Sequence, residues 1–358
     1  MSRVLDLARP EIRALEPYSH AAWQPHLERL HANEMPWRAQ GDNSVAGLNR
    51  YPEPQPAELI ARLAQLYDVA PEQVLAGRGS DEAIDLLVRA FCRAGTDGVL
   101  ICPPTFGMYA VAASIQGATI ERVPLPTAAG FALDRDRVLA ACSPNVKLLF
   151  LCSPNNPTGS LIDSADIEAL CASLAESAVV VVDEAYVEFS GRPSCVQLLP
   201  RYPNLVVLRT LSKAYALAGA RIGALVASPD IVSLLRRIIP PYALPSPAVE
   251  AALTLLQPPQ LAFAAARIET VLSERRRLAE RLGRLPQIER VWPSAANFLL
   301  VECRNPDQIL DAARSAHLIV RDVRRQPQLE RCVRISVGTP EQNDRLIAAI
   351  AAVDGDAR

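Results

Sequence analysis

The sequence predicts an α/β protein with two parts: a large domain with a mostly parallel seven-stranded sheet between helices, plus a smaller α+β domain. Two observations favour this fold class. Short β-branched, apolar runs alternate with helix-length segments from about residue 74 to residue 240. One of these runs, residues 178–182, reads Ala-Val-Val-Val-Val, which is typical of a strand buried on both faces of a parallel sheet.

The predicted elements of the large domain follow the chain in a regular order. Residues 1–45 are predicted to form an N-terminal arm that joins the small domain, with one helix over 21–31. The large domain is assigned to residues 46–240 and begins with a helix over 57–67. Its predicted strands are 74–77, 99–102, 119–123, 146–151, 179–183, 205–209 and 223–227. Its further helices are 80–92, 105–116, 163–175 and 230–238.

A proline-rich segment marks the predicted boundary between the domains. Four prolines within residues 240–247 exclude a helix or a central strand there, so the small domain is assigned to residues 241–358. A long arginine-rich helix is predicted within 260–284. Short strands at 288–292, 297–302, 318–323 and 332–337 then alternate with helices at 306–316 and 340–352.

Composition and charge exclude several classes of function. The 358 residues carry a net charge of −2, so the chain offers no basic field for nucleic acid. The longest uncharged run, residues 98–120, is interrupted by prolines and glycines and predicts no membrane-spanning helix. Charged residues within 3–13 leave no signal-peptide core. Eight cysteines without a C-x-x-C pair fit buried thiols in a reducing cytoplasm, and four histidines show no metal-ligand spacing.

The use of lysine points to a reactive residue. Of 37 basic residues only Lys147 and Lys213 are lysines. A guanidinium group stays protonated, whereas a lysine amine loses its proton in a suitable site and then reacts with carbonyl groups. Lys213 follows a predicted strand and lies close in sequence to Ser212 and Arg221. We therefore interpret Lys213 as reactive rather than as an isolated surface charge.

Polar clusters also follow three other predicted strands, at the ends where open α/β sheets bind ligands. Residues 77–82 (Gly-Arg-Gly-Ser-Asp-Glu) open a helix and suit a phosphate group, although an ordinary helix cap has the same pattern. The third glycine of a dinucleotide fingerprint is missing there. Residues 152–159 suit a site or a tight turn. Asp183 ends the valine-rich strand, and a P-loop nucleotide hydrolase is excluded because neither lysine follows the required glycines.

Together these clusters meet the requirements of pyridoxal 5'-phosphate. The cofactor needs a lysine for its aldehyde, an acid facing its ring nitrogen, donors to its phenolic oxygen, an aromatic ring over its own ring, and a phosphate cup. The chain offers, in that order, Lys213, Asp183, Asn156 with Tyr186, Tyr109 (with Phe106 as the packing alternative), and a cup of Ser80, Thr210, Ser212 and Arg221.

The sequence resembles the fold-type-I pyridoxal-phosphate aminotransferases and, more narrowly, their histidinol-phosphate aminotransferase branch. The matching segments run in the family's order along nearly the whole chain. They are residues 49–56, 102–109, 153–159, 183–186, 210–214 and 334–339. The resemblance implies that Lys213 attaches the cofactor and carries the transferred proton, and that Asp183 keeps the ring nitrogen protonated.

The resemblance also implies the remaining contacts and the reaction. The backbone of residues 79–81 (Gly79, Ser80 and Asp81) is expected to hold the cofactor phosphate, and Tyr51 is expected to reach it from the partner subunit of a symmetric homodimer. Arg334 is expected to bind the anionic end of the substrate, with Arg321 and Tyr18 nearby. The implied reaction is transamination between L-histidinol phosphate and 2-oxoglutarate, a step of histidine biosynthesis in the cytoplasm.

Three other functions remain open at this point. The same scaffold serves aromatic amino acid aminotransferases and pyridoxal-phosphate decarboxylases of phosphorylated amino acids such as threonine phosphate. A non-enzymatic regulator is disfavoured because no basic helix-turn-helix segment precedes the fold. For Arg321, a solvated charge beside Arg324 and Arg325 is the alternative to a substrate contact.

Overall fold

The computed structural model describes residues 3–18, 24 and 27–353, and alternating strands and helices fill the first two thirds of this part of the chain. The strands of the first sheet are Val74–Gly77 (β1), Gly98–Ile101 (β2), Thr119–Arg122 (β3), Val146–Cys152 (β4), Val179–Asp183 (β5), Leu205–Thr210 (β6) and Gly223–Ala227 (β7). The helices in this part are Pro10–Arg13 (α1), Ala57–Tyr67 (α2), Ser80–Phe91 (α3), Met108–Gln116 (α4), Arg135–Ala141 (α5), Ser164–Ser173 (α6), Pro229–Arg236 (α7) and Ser246–Leu255 (α8).

These seven strands form one sheet in the order β1-β7-β6-β5-β4-β2-β3. Strand β7 runs antiparallel to both of its neighbours, and the other six strands are parallel to one another. The carboxyl ends of the parallel strands therefore lie along one edge of the sheet. The fold class predicted from the sequence, a mostly parallel seven-stranded sheet with a smaller second part, is confirmed.

Both faces of the large sheet are buried, and β5 illustrates why. Val180 and Val182 face a core shared with α2, α5, α6 and α8, whereas Val179 and Val181 face a core shared with α3, α4 and α7. All four valines are fully buried. Each contributes roughly 1.5–3 kcal/mol by burial, so a run of valines strongly favours this central position.

The second sheet is smaller and entirely antiparallel. Its strands are Ile288–Val291 (β8), Phe298–Cys303 (β9), Arg321–Asp322 (β10) and Cys332–Ser336 (β11), in the order β10-β11-β9-β8. The helices here are Pro258–Leu282 (α9), Pro306–Ser315 (α10) and Pro340–Ala351 (α11). They share a third core with the sheet, built around Leu278, Val301, Ile309 and Leu346. None of the described helices, including the 25-residue α9, is long and apolar enough to cross a membrane.

The N-terminal segment lies against the helices of the large sheet. The backbone N–H of Arg9 donates to the carbonyl of Ala90 in α3 at 3.0 Å. Arg237, at the end of α7, donates to the carbonyl of Arg13 at 2.8 Å. These bonds fasten residues 9–13 to one face of the molecule. The predicted domain limits at residues 45 and 240 stay a prediction.

Four local predictions differ from the structure. The strand predicted over 318–323 forms only at Arg321–Asp322. The helix predicted over 21–31 is absent from its described residues, 24 and 27–31; residues 21–23, 25 and 26 lie outside the described part. Leu27 and Leu30 are exposed, so no apolar face would stabilise such a helix. Helix α4 begins at Met108 rather than at residue 105. Helices α1, α5 and α8 were not predicted from the sequence. Helix α8 begins inside the proline-rich segment with Pro247 in its first turn, where proline is tolerated.

Candidate active site

A cavity of about 810 Å³ opens at the carboxyl ends of β4, β5 and β6, and β10 and β11 of the small sheet close its other side. Eleven of the residues predicted from the sequence line it: Ser80, Asp81, Asn156, Asp183, Tyr186, Thr210, Ser212, Lys213, Arg221, Arg321 and Arg334. Residues separated by more than 250 positions in the chain thus meet in one place.

Lys213 lies on the loop that follows β6 and extends into this cavity. Its amine nitrogen is 5.8 Å from the centre of the Tyr186 ring. Burial lowers the pKa of Lys213 below its usual value, and the positive charges of Arg334 and Arg221 lower it further. A larger fraction of the amine is therefore neutral near pH 7 than for an ordinary lysine, as a nucleophile requires.

Asp183 is the last residue of β5 and lies at the bottom of the cavity, 2% exposed. Its Oδ1 accepts the backbone N–H of Ala185 at 3.1 Å, and its Oδ2 accepts the hydroxyl of Tyr109 at 2.8 Å. Burial raises the pKa of Asp183 to about 6, although these two hydrogen bonds act in the opposite direction. A carboxylate buried in this way is stabilised by a cationic partner, which the described residues do not supply within ion-pair distance.

The aromatic wall of the cavity differs from the prediction. Phe106, which the sequence analysis weighed as a packing residue, lines the cavity, whereas Tyr109 is fully buried and does not. The reason is the start of α4 at Met108. Tyr109, Ala112 and Ala113 form the buried stripe of this helix and face the sheet. Phe106, two residues before the helix, rather than Tyr109 in its first turn, is therefore placed to cover a ligand.

Two hydrogen-bond donors converge on the cavity beside Asp183. The Nδ2 of Asn156 lies 3.5 Å from the Tyr186 hydroxyl oxygen, which leaves that hydroxyl free to donate elsewhere. The Oδ1 of Asn156 accepts from Nη1 of Arg334, so the amide is held with its N–H₂ towards Tyr186. Burial lowers the pKa of Arg334, and its buried Nε has no hydrogen-bond partner in the described part of the chain. An unpaired buried donor of this kind favours binding of an anion.

A cup of donors surrounds the first turn of α3. Arg221 donates to Ser212 Oγ and pairs with Asp81, both at 3.3 Å. Gly79 has φ +84°, and a Cβ there would lie 2.7 Å from Nη2 of Arg221, so only glycine fits. A Cβ on Gly223 would similarly lie 2.6 Å from the carbonyl carbon of Gly79. This cradle brings backbone N–H groups, hydroxyls and a guanidinium together, a donor set that fits a phosphate group.

The opposite wall carries arginines from the small sheet. Arg321 and Arg325 line the cavity, and within the described ranges neither forms a salt bridge. Arg324, by contrast, pairs with Asp322 at 2.8 Å and with Asp307 at 2.9 Å. Arg325 could not be predicted as a site residue, because nothing in the sequence of two adjacent arginines indicates which one faces a cavity. This wall is suited to an anionic group with more than one charge.

Besides Tyr109 and Gly79, two further predicted residues do not line this cavity. Tyr51 is 48% exposed and stacks on Tyr242 with ring centroids 4.5 Å apart. Tyr18 is 72% exposed. Neither lines the cavity formed by its own chain. The contact of Tyr51 with a partner subunit's phosphate site and the substrate contact of Tyr18 stay predictions.

Comparisons with known proteins agree on one family. The sequence profile described as "Aminotransferase class I and II" matches residues 30–350. The histidinol-phosphate aminotransferase of Stenotrophomonas maltophilia is 51% identical over 98% of this chain and 97% of that protein. The structure of histidinol-phosphate aminotransferase from Sinorhizobium meliloti, in complex with pyridoxal-5'-phosphate, has a TM-score of 0.76 at 26% identity over 85% of this chain and 83% of that one. The Clostridium acetobutylicum enzyme of the same name, at 22% identity, shares the fold with a TM-score of 0.78 over 86% of this chain and 91% of that chain.

Proposed function

The chain belongs to the class I and II aminotransferase family, and we propose that it transfers the amino group of L-histidinol phosphate to 2-oxoglutarate. The products would be imidazole-acetol phosphate and L-glutamate. One observation carries the proposal: Lys213 and Asp183 line the same cavity as Arg321 and Arg334. An amine with a lowered pKa and a buried acid thus lie opposite a cationic wall.

Pyridoxal 5'-phosphate is the cofactor we propose for this cavity. It would supply the electron sink that accepts the electrons released when a C–H bond beside the substrate nitrogen breaks. Asp183 would pair with its ring nitrogen, and Asn156 and Tyr186 would donate to its phenolic oxygen. Phe106 would cover its ring, in place of Tyr109. Its phosphate would bind the first turn of α3 together with Thr210, Ser212 and Arg221, next to Gly79 and Ser80.

Lys213 would have two roles in the reaction. Its amine would attach the cofactor, and once substrate had displaced it, Nζ would take the proton from the carbon that bears the substrate nitrogen. The lowered pKa of Lys213 suits both roles, since each requires the neutral amine. The same Nζ would then pass the proton to a second atom, and water would still have to add before the keto product is released.

The arginine wall would select the substrate. L-Histidinol phosphate ends in a phosphate that carries two negative charges, and guanidinium groups match phosphate oxygens with paired N–H donors. Arg334, with its unpaired Nε, and Arg321 are the residues we assign to it. In the second half of the reaction the same groups would bind a carboxylate group of 2-oxoglutarate. This group is smaller than the phosphate group and carries one negative charge instead of two.

A substrate comparison tests this function. Purified protein with pyridoxal 5'-phosphate and 2-oxoglutarate is expected to form glutamate from L-histidinol phosphate at a much higher kcat/KM than from L-phenylalanine. Phenylalanine is the comparison substrate, because it also carries an amino group near an aromatic ring but ends in a carboxylate with one negative charge instead of a phosphate with two. A preference for phenylalanine would indicate an aromatic amino acid aminotransferase. Release of carbon dioxide from threonine phosphate would indicate the decarboxylase, and either result would contradict the proposal.

We also propose that the active form is a homodimer. Of the thirteen exposed large apolar residues in the described part of the chain, nine lie between residues 15 and 51. An exposed apolar segment of this size favours a protein partner. A second copy of the chain is the partner we propose, with Tyr51 reaching the neighbouring phosphate cup and Tyr18 near the neighbouring substrate site.

The cellular setting we propose is the cytoplasm, in histidine biosynthesis. All eight cysteines are free thiols, and six of them are buried. Burial raises the pKa of Cys102 and Cys171 to about 12, so these thiols stay protonated and unreactive. Such thiols suit a reducing compartment.

A further inference from the structure

The hydroxyl of Tyr109 donates a hydrogen bond to Asp183, which lines the cavity, although Tyr109 itself does not line it. We propose that Tyr109 is a positioning residue that holds the Asp183 carboxylate in the orientation and charge state needed to pair with the cofactor's ring nitrogen. The inference rests on the proposed cofactor. It assigns to Tyr109 a role different from the ring stacking that the sequence predicted.

The Tyr109 side chain is held in one position by the residues packed around it. It is fully buried, stacked on Phe150 at 4.8 Å between ring centroids and met edge-on by Phe106 at 5.6 Å. Its hydroxyl donates to Oδ2 of Asp183 at 2.8 Å. Burial raises the pKa of Tyr109 well above its usual value, so the hydroxyl remains a donor. The aromatic packing fixes the ring, and the ring fixes the hydroxyl against the carboxylate.

The hydrogen bonds of Asp183 explain why this contact matters. An ionised carboxylate accepts at about four lone-pair positions. Here Ala185 and Tyr109 each occupy one, on different oxygens, and the carboxylate lines the cavity with its remaining positions. The thiol of Cys152 also touches the Tyr109 hydroxyl but gives its own S–H to the carbonyl of Pro154 at 3.4 Å. A carboxylate oxygen is a much stronger acceptor than a thiol sulfur, so the Tyr109 hydroxyl donates its proton to Asp183.

Without the hydroxyl, Oδ2 would lose its charge-assisted hydrogen bond in a buried site. The carboxylate would then be free to rotate and would be protonated at higher pH, because burial and the negative charges of Asp81 and Glu184 already disfavour its charge. The titratable groups that face Asp183 are Asp81 of α3, Tyr109 of α4, Cys152 of β4, Glu184 and Tyr186 after β5, and Lys213 after β6. A protonated Asp183 cannot form an ion pair with a protonated ring nitrogen.

The test is the affinity of apoprotein for pyridoxal 5'-phosphate, measured by fluorescence titration at pH 7.5. We expect Tyr109→Phe to bind roughly ten- to a hundredfold more weakly, as removal of a hydrogen bond to a charged group predicts. The matched control is Tyr67→Phe. It removes another buried tyrosine hydroxyl, one that has no hydrogen-bond partner among the described residues, and its affinity is expected to stay within about twofold of wild type.

Two further readouts separate positioning from packing. The pH below which affinity falls is expected to lie higher in Tyr109→Phe than in wild type. A cofactor analogue with C–H in place of the ring nitrogen is expected to bind wild type and Tyr109→Phe equally. Unchanged affinity for the cofactor, or an equal loss for cofactor and analogue, would overturn the inference. A wild-type protein that does not bind pyridoxal 5'-phosphate at all would overturn the proposed function along with it.

Discussion

Arg334 of the small sheet donates a hydrogen bond to Asn156, which follows a strand of the large sheet. The residue proposed to bind the substrate's anionic end thus also holds a residue proposed to contact the cofactor. Arg334 Cζ lies 5.1 Å from the centre of the Phe298 ring, which fixes the guanidinium from its other side. With these proposed roles, substrate binding and cofactor orientation would be coupled through one side chain.

Replacement of Arg334 by lysine is expected to test this coupling. The charge is kept, but the paired N–H donors and the bond to Asn156 are lost. We expect KM for histidinol phosphate to rise about tenfold or more and kcat to fall as well, because Asn156 is no longer held. The control is Arg290→Lys. Arg290 does not line the cavity, and its Cζ lies 3.8 Å from the centre of the Trp292 ring, so this change should leave KM and kcat unchanged. A higher KM with an unchanged kcat would show that Asn156 does not depend on Arg334.

Much of the site could be predicted from the sequence because strand ends are easy to locate. Buried strands such as Val179–Asp183 are nearly pure valine, and the polar residue that ends each one marks the ligand-binding edge. Lys213 stood out through the scarcity of lysine. These signals are local in the chain, so they needed no knowledge of the packing.

The aromatic wall and the arginine wall could not be predicted in the same way. Phe106 and Tyr109 are three residues apart, and which of them faces the cavity depends on the residue at which α4 begins. Arg324 and Arg325 are adjacent, and only the folded positions of Asp322 and of Asp307, on a separate helix, show that Arg324 is the one already paired. In both cases a shift of one to three residues, set by tertiary packing, decides the role.

The scarcity of lysine makes the attachment of the cofactor simple to test. Protein loaded with pyridoxal 5'-phosphate and treated with borohydride is expected to carry the label on Lys213, as read by peptide mass spectrometry. Lys147 lies in β4 and donates to the carbonyl of Pro144 at 2.8 Å, outside the cavity. Lys147→Arg should therefore be labelled and active like wild type, whereas Lys213→Arg should be neither. A label on Lys147 would contradict the assignment of the site.

The raised pKa of Asp183 predicts that this residue lowers the free energy of unfolding of the apoprotein by an amount that depends on pH. A carboxyl group with a folded-state pKa of about 6 stabilises the fold below its unfolded-state pKa, near 3.8, and this stabilisation is lost as the pH rises through 6. At pH 7.5 the ionised, buried group should cost up to about 3 kcal/mol. Asp183→Asn apoprotein is therefore expected to be more stable than wild type at pH 7.5, with the difference shrinking below pH 6. Urea unfolding across this range measures the effect.

Asp97 provides the control of opposite sign. Burial alone would raise the pKa of Asp97, but hydrogen bonds from the Arg93 side chain and backbone outweigh it and leave the pKa lowered. A lowered pKa contributes stability above the unfolded-state value that is lost at acid pH. Asp97→Asn should therefore destabilise the protein at pH 7.5 and less so towards pH 3. An Asp183→Asn variant that behaves like Asp97→Asn would contradict the burial argument.

A shared active site predicts recovery of activity in mixed dimers. Tyr51→Phe subunits keep Lys213, and Lys213→Ala subunits keep Tyr51. If Tyr51 completes the partner's phosphate cup, each hybrid dimer contains one fully native site. Mixing the two inactive or weakened proteins, with exchange of subunits, is therefore expected to raise both cofactor affinity and activity above those of either parent. No recovery in hybrids, confirmed as dimers by sedimentation, would show that Tyr51 acts within its own chain or not at all.

Arg321 provides the sharpest test of substrate choice. It lines the cavity on the two-residue strand β10, opposite Arg334 in the register of the small sheet, and within the described residues no carboxylate neutralises it. A phosphate dianion should need both arginines, whereas phenylalanine offers no such group at that end. Arg321→Ala is therefore expected to raise KM for histidinol phosphate about tenfold while changing KM for phenylalanine less than twofold.

The control for this test is Arg331→Ala, which removes an arginine of the same domain that pairs with Glu289 and does not line the cavity. The KM of Arg331→Ala for both substrates should equal that of wild type. This result would exclude a general effect of lost positive charge. If Arg321→Ala weakened both substrates equally, Arg321 would support the shape of the cavity rather than bind the dianion. If it changed neither, Arg321 would be a solvated charge, and Arg325 with Arg334 would have to bind the phosphate.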